Sequence, residues 1–454
     1  MNKKIVSIIG LGFVGFPTAC ILANCKDKKH KDIFKVNGID KNLDKVKKNI
    51  LNFNSKSKGL SDDKKLNAII KNVIKKNKIS FSKKIENISN SNIVIVSVSF
   101  DFHQSKNLKK YQELKKLFRE IGKNIKKNSL ILVETTLPPG TCDNVIIPIL
   151  KQSLKNRKMK LNDIYFSYSY ERIMPGNGYM DSIINIHRCY AGMNKPSSLN
   201  CKNFLKKFIN YKKFPLFEFN KLKDCEASKI LENSYRAINI AFIDEWTRYA
   251  NATNLNLNRI INAIKLRKTH NNIMRPGLGV GGYCLTKDPG FVEFSSKFFL
   301  KSKINFPIIN RATKINKTMP QTSIEFIKSK VKRLEKKKVI ILGASYKNDV
   351  SDIRFSPSLD LIKYFKNKKI SFKVHDPLAK NIIDKDVNII NTLPRFKNYD
   401  VILFCVNHSS YKRIKKENFS KNAIYFDLNQ VLNNSQINFM NKNNFKLEIL
   451  GGNY

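Results

Sequence analysis

Residues 4–15, KIVSIIGLGFVG, set a short β-branched run directly against three glycines spaced GxGxxG, and an apolar, helix-compatible stretch follows over 17–23. Strand, tight turn and helix in that order admit few folds. Gly10 permits the turn, Gly12 lets backbone approach a pyrophosphate, and Gly15 allows helix and strand to pack closely, with the helix N-terminus favouring the anion. The next strand, FKVNGID, ends on Asp40, at the distance from the glycines that suits an acid holding the ribose hydroxyls of a dinucleotide. A carboxylate there favours NAD over NADP. The glycine pattern alone is weak; the strand before it, the helix after it and Asp40 beyond it give it weight.

Further buried-strand candidates are NIVIVSVS (92–99), SLILVE (129–134) and IYFSYS (164–169), separated by Lys-rich helical segments. Such alternation predicts a parallel sheet covered on both faces. From about Asp224 the period changes, and DCEASKILENSYRAINIAFIDEWTRYANATN, free of Pro and Gly, reads as one long helix. KTMPQTS (317–323) reads as a hinge, after which KKVIILGASYK (337–347) begins strand and glycine again, followed by FKVHDP, DVILFCV and AIYFDL. The expected fold class is α/β, two Rossmann-like parallel-sheet domains joined by a long central helix, with domains at 1–200, 201–316 and 317–454.

The 454 residues suffice for two or three domains. Lys plus Arg is 85 and Asp plus Glu is 35, a formal charge of +50 that ordinarily points to polyanionic partners. The lysines are spread among Asn and Ile along the whole chain, without basic-aromatic interleaving or a zinc-finger or RNA-binding signature. They read as solvated faces, so no nucleic-acid partner is expected, although a phosphate-bearing small substrate would be drawn in. The N-terminus has the basic and apolar order of a secretory leader, but glycines interrupt it and no apolar run reaches membrane-spanning length. A cytoplasmic protein without membrane insertion is expected. Eight cysteines lack any CxxC pair and six histidines form no metal-ligand spacing, so neither a disulfide framework nor a metal is expected.

GVGGYCLTKDP (279–289) carries a different chemistry. Gly277, Gly279, Gly281 and Gly282 would let backbone N–H groups line a ligand, and Lys287 and Asp288 could set protonation beside Cys284. Most cysteines are inert core residues. A reactive one can add to an aldehyde, and hydride loss from that adduct gives a thioester. KILEN puts Lys229 and Asn233 on one helix face, where they could hold an oxyanion if they meet a site and are solvated otherwise. VETTLPPGT (133–141) closes a strand with hydroxyls and a turn, at the edge where ligands of parallel sheets collect, and SYERIMPG (169–176) ends one with Glu171, a candidate general base.

GLGFVG, ETTLPPGT, YERIMPG, KILENSYRA, GVGGYCLTKDP and GASYKNDVSDIRFSPS, in that order, resemble the UDP-sugar 6-dehydrogenases, the group containing the UDP-glucose, UDP-N-acetylmannosamine and UDP-N-acetylglucosamine dehydrogenases. The resemblance covers almost the whole chain. It implies a two-step, four-electron oxidation of a sugar CH2OH to a carboxylate with reduction of two NAD, for polysaccharide biosynthesis. Cys284 matches the nucleophile, Lys229 and Asn233 the pair that stabilises charge on oxygen, Asp288 the acid beside the nucleophile, and Glu171 and Thr136 the residues of thioester hydrolysis and water placement. Gly10, Gly12, Phe13, Val14, Gly15 and Asp40, with Lys45, Thr136 and Arg354, match the cofactor positions. Glu171, Arg172, Lys229, Asn233, Gly279, Gly281, Gly282, Tyr283 and Lys347 match the substrate positions. The first domain is thereby implied to bind NAD, the central one to carry the cysteine loop and form a homodimer, and the last to bind the UDP-sugar.

The chain departs from that pattern at several places. Tyr170 stands where relatives have Pro, Phe355 replaces the Glu of DxRESP, and VSVSFDF lacks a PTP-type sequence. An arginine that reaches the neighbouring subunit's substrate is expected near Arg267, His270 and Arg275. YERIMPG and RPGLGVGGYC look closer to the N-acetylhexosamine branch and TKDP closer to the glucose branch, which slightly favours an N-acetylated sugar. The alternatives are a single-hydride β-hydroxyacid-type dehydrogenase and a basic nucleic-acid-binding protein built on Rossmann-like halves.

Overall fold

The computed structural model describes residues 3–44, 46–47, 63–100, 107–176, 178–302, 304–379 and 387–452. The chain divides into two units, Met1–Glu232 with Gly290–Asn305, and Asn233–Pro289 with Phe306–Tyr454.

The first unit is built on strands β1 (Lys4–Ile9), β2 (Phe34–Ile39), β3 (Ile79–Ser82), β4 (Ile93–Val96), β5 (Leu130–Val133), β6 (Tyr165–Tyr168), β7 (Cys189–Gly192) and β8 (Phe217–Glu218), in the order 3-2-1-4-5-6-7-8. Pairing is parallel through β6; β7 runs antiparallel to β6, and β8 runs parallel to β7. The central strands are apolar at every position because both faces are covered. Ile93 and Ile95 of β4 pack in one cluster with Leu130 and Leu132 of β5, while Val94, Val96, Ile131 and Val133 pack in another on the opposite face. Each such side chain, fully buried, contributes about 1.5–3 kcal/mol.

The second unit repeats the arrangement with β9 (Val339–Leu342), β10 (Phe372–His375), β11 (Ile389–Ile390), β12 (Val401–Phe404), β13 (Ile424–Asp427) and β14 (Lys446–Ile449), all parallel in the order 11-10-9-12-13-14. Val339, Ile341, Val401 and Leu403 face one core; Ile340, Leu342, Ile402 and Phe404 face the other. The expected long helix runs over Leu222–Thr253. The expected hinge at 317–323 is overturned, because those residues lie inside the helix Pro307–Lys330, with Pro320 buried in its interior. An interior proline costs about 3 kcal/mol, but the same helix buries Ala312, Ile315, Met319, Ile324, Phe326 and Ile327, which outweighs it. Among the described residues no helix is long and apolar enough to cross a membrane.

One buried acid joins the long helix to the first unit. Glu226 accepts from the N–H groups of Gly140 (2.6 Å) and Cys142 (2.9 Å), at the turn PPGTC where the next helical segment begins. Burial pushes its carboxyl up to about 8, although Cys142 and the backbone N–H groups pull the other way. The unfolded chain would release this proton in the ordinary carboxylate range, so between roughly pH 5 and pH 8 the folded state binds more protons and stability falls as pH rises. Glu226→Gln cannot ionise. Its melting temperature should fall less than that of the wild type from about pH 5 to about pH 9; parallel curves would mean that Glu226 is already ionised in the folded protein.

Candidate active site

The glycine turn after β1 has the geometry its sequence requires. Gly10 adopts φ +92°, and a side chain there would stand 2.8 Å from the Ser97 carbonyl oxygen. A Cβ on Gly15 would stand 1.9 Å from the Gly10 carbonyl oxygen, so only glycine lets the helix Gly15–Asn24 approach the strand. A Cβ on Gly12 would meet nothing within 4 Å. Asp40 directly follows β2; its Oδ2 accepts from the Leu11 N–H (2.7 Å) and its Oδ1 from the Asn42 N–H (2.7 Å). Phe13 is half exposed, its carbonyl accepts the Tyr179 hydroxyl, and Val14 precedes a helix whose first turn holds no acid. Open space at Gly12 beside a half-buried carboxylate and an acid-free helix start fits a pyrophosphate and its ribose. Lys45 lies outside the described residues.

The carboxyl edge of the same sheet carries a second group. Glu134 follows β5 and pairs with Arg188, which precedes β7; both are buried. Ser97 donates to Glu134 at 3.3 Å, and Arg188 Nε donates to the Ser169 hydroxyl at 3.2 Å. Burial pushes the Glu134 carboxyl up, against the pull of Arg188, and Glu171 adds to the rise. Thr135 is fixed through its hydroxyl to the Val98 carbonyl (2.9 Å), leaving half-buried Thr136 next in the chain. The Lys229 ammonium, buried, donates to the Glu171 carbonyl at 2.8 Å. Tyr170 presents its ring to two cations, with Lys229 Nζ 5.5 Å and the Arg172 guanidinium 5.0 Å from its centroid. Arg172 is itself held by the protein, with a two-pronged grip on Glu232 (2.9 and 2.8 Å), the His187 carbonyl (2.7 Å) and the Tyr170 hydroxyl (2.8 Å). That engagement makes Arg172 a latch between YERIMPG and the long helix.

In the second unit, Cys284 opens the short helix Cys284–Lys287, and of the eight cysteines it is the exposed one. Asp288, wholly buried, accepts from Asn233 Nδ2 at 2.6 Å and from the Lys287 ammonium at 2.7 Å, so it has an amide and a cation as partners. The glycines before Cys284 pack against GASYKNDVSDIRFSPS. A Cβ on Gly281 would stand 2.8 Å from the Phe355 carbonyl, one on Gly282 (φ +79°) 2.8 Å from the Tyr346 ring, and one on Gly279 3.0 Å from Pro357. Tyr283 stacks edge-on to Phe355 (5.0 Å between centroids) and lies under the Arg354 guanidinium (4.9 Å), which Asp352 grips at 2.9 and 2.6 Å. Burial, and then the charge of Arg236, hold the half-buried Lys347 ammonium below its ordinary value. Among the three residues expected near a neighbouring subunit, Arg267 and His270 are exposed, whereas half-buried Arg275 bonds to Asn262.

Reading the sequence missed Arg188, Glu134 and Glu226. For Arg188 and Glu134 the available signal was a charge at the end of a strand buried on both faces, where a charge must be paired; Glu226, inside the long helix, had none. The partners lie 54 residues apart for Arg188 and Glu134, and 84 for Cys142 and Glu226, which no local pattern reveals.

Models of three domains of one family match in order: the NAD binding domain of the UDP-glucose/GDP-mannose dehydrogenase family over residues 4–210, its central domain over 223–318 and its UDP binding domain over 340–434. The chain belongs to the UDP-glucose/GDP-mannose dehydrogenase family. It is an NAD-dependent UDP-sugar dehydrogenase. The dehydrogenase is 29% identical over 463 residues to the UDP-N-acetyl-D-mannosamine dehydrogenase of Methanocaldococcus jannaschii, covering 99% of this chain and 96% of that one. It is 26% identical to the protein of the same name from Campylobacter jejuni, covering 91% and 97%. In fold it is similar to a UDP-D-ManNAc dehydrogenase from Pyrococcus horikoshii (TM-score 0.77, 22% identity, 99% of each chain). It is likewise similar to a UDP-glucose dehydrogenase from Pyrobaculum islandicum (TM-score 0.77, 19% identity, 95% of each chain).

The glycines give a paired prediction. Gly12→Ala should leave the dehydrogenase folded, with a melting temperature within about 2 °C of wild type, while the KM for NAD rises by about tenfold. Gly15→Ala should lose roughly 3 kcal/mol or more, because two backbones cannot part without unpacking helix from sheet. Thermal melts and NADH kinetics on both variants check this; an unchanged KM in Gly12→Ala would move the cofactor elsewhere.

Proposed function

We propose that the dehydrogenase oxidises the C6 hydroxymethyl of a UDP-N-acetylhexosamine to the uronic acid, through a covalent adduct on Cys284. What supports the reading is one observation above others: Cys284 is the exposed thiol of the chain, four residues before an Asp288 whose carboxylate is already held by Asn233 and Lys287. Bound NAD supplies the hydride acceptor, and two molecules are consumed per substrate. In the first half the alcohol loses a proton and a hydride to become an aldehyde, while Lys229 and Asn233 hold charge on the oxygen. The Cys284 sulfur then adds to the aldehyde carbon and the carbonyl oxygen takes a proton, giving a thiohemiacetal. Loss of a proton and a second hydride leaves a thioester, which water cleaves to the carboxylate and the thiol. Glu171 serves as the base for that water, and Thr136 positions it. The sum is one alcohol, one water and two NAD consumed for one carboxylic acid, two NADH and two protons.

In the same reading the UDP moiety is met by Lys347 and the glycine loop ending at Tyr283, and Arg354 serves the cofactor side. The domains are those expected from the sequence, 1–200 for NAD, 201–316 for the cysteine loop and dimerisation, and 317–454 for the UDP-sugar. A second copy of the chain covers the aromatic face of the long helix, where Tyr235, Phe242, Trp246 and Tyr249 are exposed at helical spacing. The enzyme works in the cytoplasm, and its product feeds a polysaccharide. The N-acetylated sugar is preferred because the named relatives are UDP-N-acetyl-D-mannosamine dehydrogenases.

Three measurements test this. NADH released per UDP-N-acetylhexosamine consumed should be two; a value of one removes the thioester half of the scheme. Cys284→Ser should lower the rate of acid formation by about a thousandfold or more, and full turnover to acid in that variant would refute the covalent route. Offered UDP-N-acetylmannosamine, UDP-N-acetylglucosamine, UDP-glucose and UDP-galactose, the enzyme should show its highest kcat/KM with an N-acetylated sugar.

A further inference from the structure

The second sheet carries the same acid as the first and spends it differently. Asp376 directly follows β10 as Asp40 follows β2, and the Ala344 N–H donates to Asp376 Oδ2 (2.9 Å) as the Leu11 N–H donates to Asp40 Oδ2 (2.7 Å). Asp40 is half-buried beside open space at Gly12. Asp376 is wholly buried and its oxygens are saturated from within. Oδ2 also accepts from Ser345 N–H (3.0 Å) and Ser345 hydroxyl (2.8 Å), and Oδ1 accepts from the N–H groups of Leu378 (2.9 Å) and Ala379 (2.8 Å). The remaining approach is filled by the buried imidazole of His408, whose Nε2 lies 3.1 Å from Asp376 Oδ2 and 2.9 Å from the Ser345 hydroxyl.

His408 is also bound on its other side. The Asp349 N–H donates to His408 Nδ1 at 2.9 Å, which leaves the ring proton on Nε2, aimed at Asp376 and Ser345. Asp349 adopts φ +54°, a left-handed conformation that Asp enters more readily than most residues and that its hydrogen bonds fix here. Their partners are residues 408 and 409: besides the bond to His408, the Asp349 carboxylate accepts from the Ser409 N–H at 2.9 Å. Asp349 lies in the loop between Lys347 and Arg354.

We propose that His408 is a positioning residue for recognition of the UDP-sugar. It clamps Asp349 in the left-handed turn and thereby sets where Lys347 stands, with Asp376 and Ser345 as the fixed anchor behind the ring. The inference rests on the reading that Lys347 meets the UDP moiety. The acid that would recognise a ribose in the first sheet is, in the second, the foundation of this clamp.

Two substitutions separate the two bonds of the ring. In His408→Gln the amide nitrogen reaches the place of Nε2 and keeps the donor to Asp376, but nothing accepts the Asp349 N–H. In His408→Asn the amide oxygen reaches the place of Nδ1 and keeps that acceptor, while Asp376 loses a donor. His408→Gln should raise the KM for UDP-N-acetylhexosamine by about tenfold, with kcat and the KM for NAD within about twofold of wild type. His408→Asn should keep the sugar KM within about threefold while lowering the melting temperature. A role in stability alone predicts lowered melting temperatures with the sugar KM unmoved in both variants, and equal effects of the two variants on the sugar KM, or none from His408→Gln, would overturn the proposal. Should His408→Gln fail to fold, Asp349→Ala leaves the His408–Asp376 pair intact but removes the carboxylate that holds Ser409 and puts a side chain poorly suited to the left-handed turn at that position, so it should raise the same KM; no rise there would show that this turn does not set the sugar contact and also overturns the proposal. Lys347→Met separates this inference from the reading beneath it. A raised sugar KM in Lys347→Met with none in His408→Gln sinks the clamp alone, and an unchanged KM in Lys347→Met sinks both.

Discussion

In each unit a parallel sheet is sealed on both faces by apolar side chains, and this leaves polar groups one place to stand, the carboxyl edge of the strands. The candidate site residues at the edges of both sheets follow from that constraint. Asp40 directly follows β2, Glu134 directly follows β5, Ser169 and Glu171 lie just beyond β6, and Asp376 and His408 lie beyond β10 and β12. A charge at such an edge is half in a medium that cannot solvate it, so it recruits partners: Arg188 for Glu134, backbone N–H groups for Asp40, a full shell of donors for Asp376. Lys229 extends the principle to the long helix, reaching the Glu171 carbonyl from the side.

What was legible in the residues was whatever depends on neighbours in sequence. Gly10 and Gly15 need their φ and their close contact for reasons set within a dozen residues, and the acid ending β2 follows from the strand length. The long helix announced itself by lacking breakers, and its observed bounds, Leu222–Thr253, differ from the expected start at Asp224 by one short step. Illegible features depend on contacts across the fold. Pro320 read as punctuation because local propensity gives it that meaning, yet the apolar stripe around it decided for helix. Nothing local names the partner of Arg188 in a chain with 85 Lys and Arg, and only the sheet puts it against Glu134. His408 carried no signal, since its partners Ser345, Asp349 and Asp376 are gathered from separate strand ends.

Two residues that depart from the pattern expected on the sequence have local physical roles. Tyr170 supplies an aromatic face to Arg172 and Lys229 where a proline would supply only a fixed φ. Phe355, at φ +55°, offers its carbonyl to the approach of Gly281 and its ring to Tyr283, so the glycine loop meets an aromatic wall.

The exposure of a single thiol also has a cost outside the reaction. Burial holds Cys20, Cys25, Cys142, Cys201, Cys225 and Cys405 in their protonated form, which is slow to react. Peroxide or an alkylating agent therefore meets Cys284 ahead of the rest. On the proposed covalent route, such an encounter would stop turnover while the folded core stayed intact, so that oxidative stress would inactivate this protein long before it denatured it.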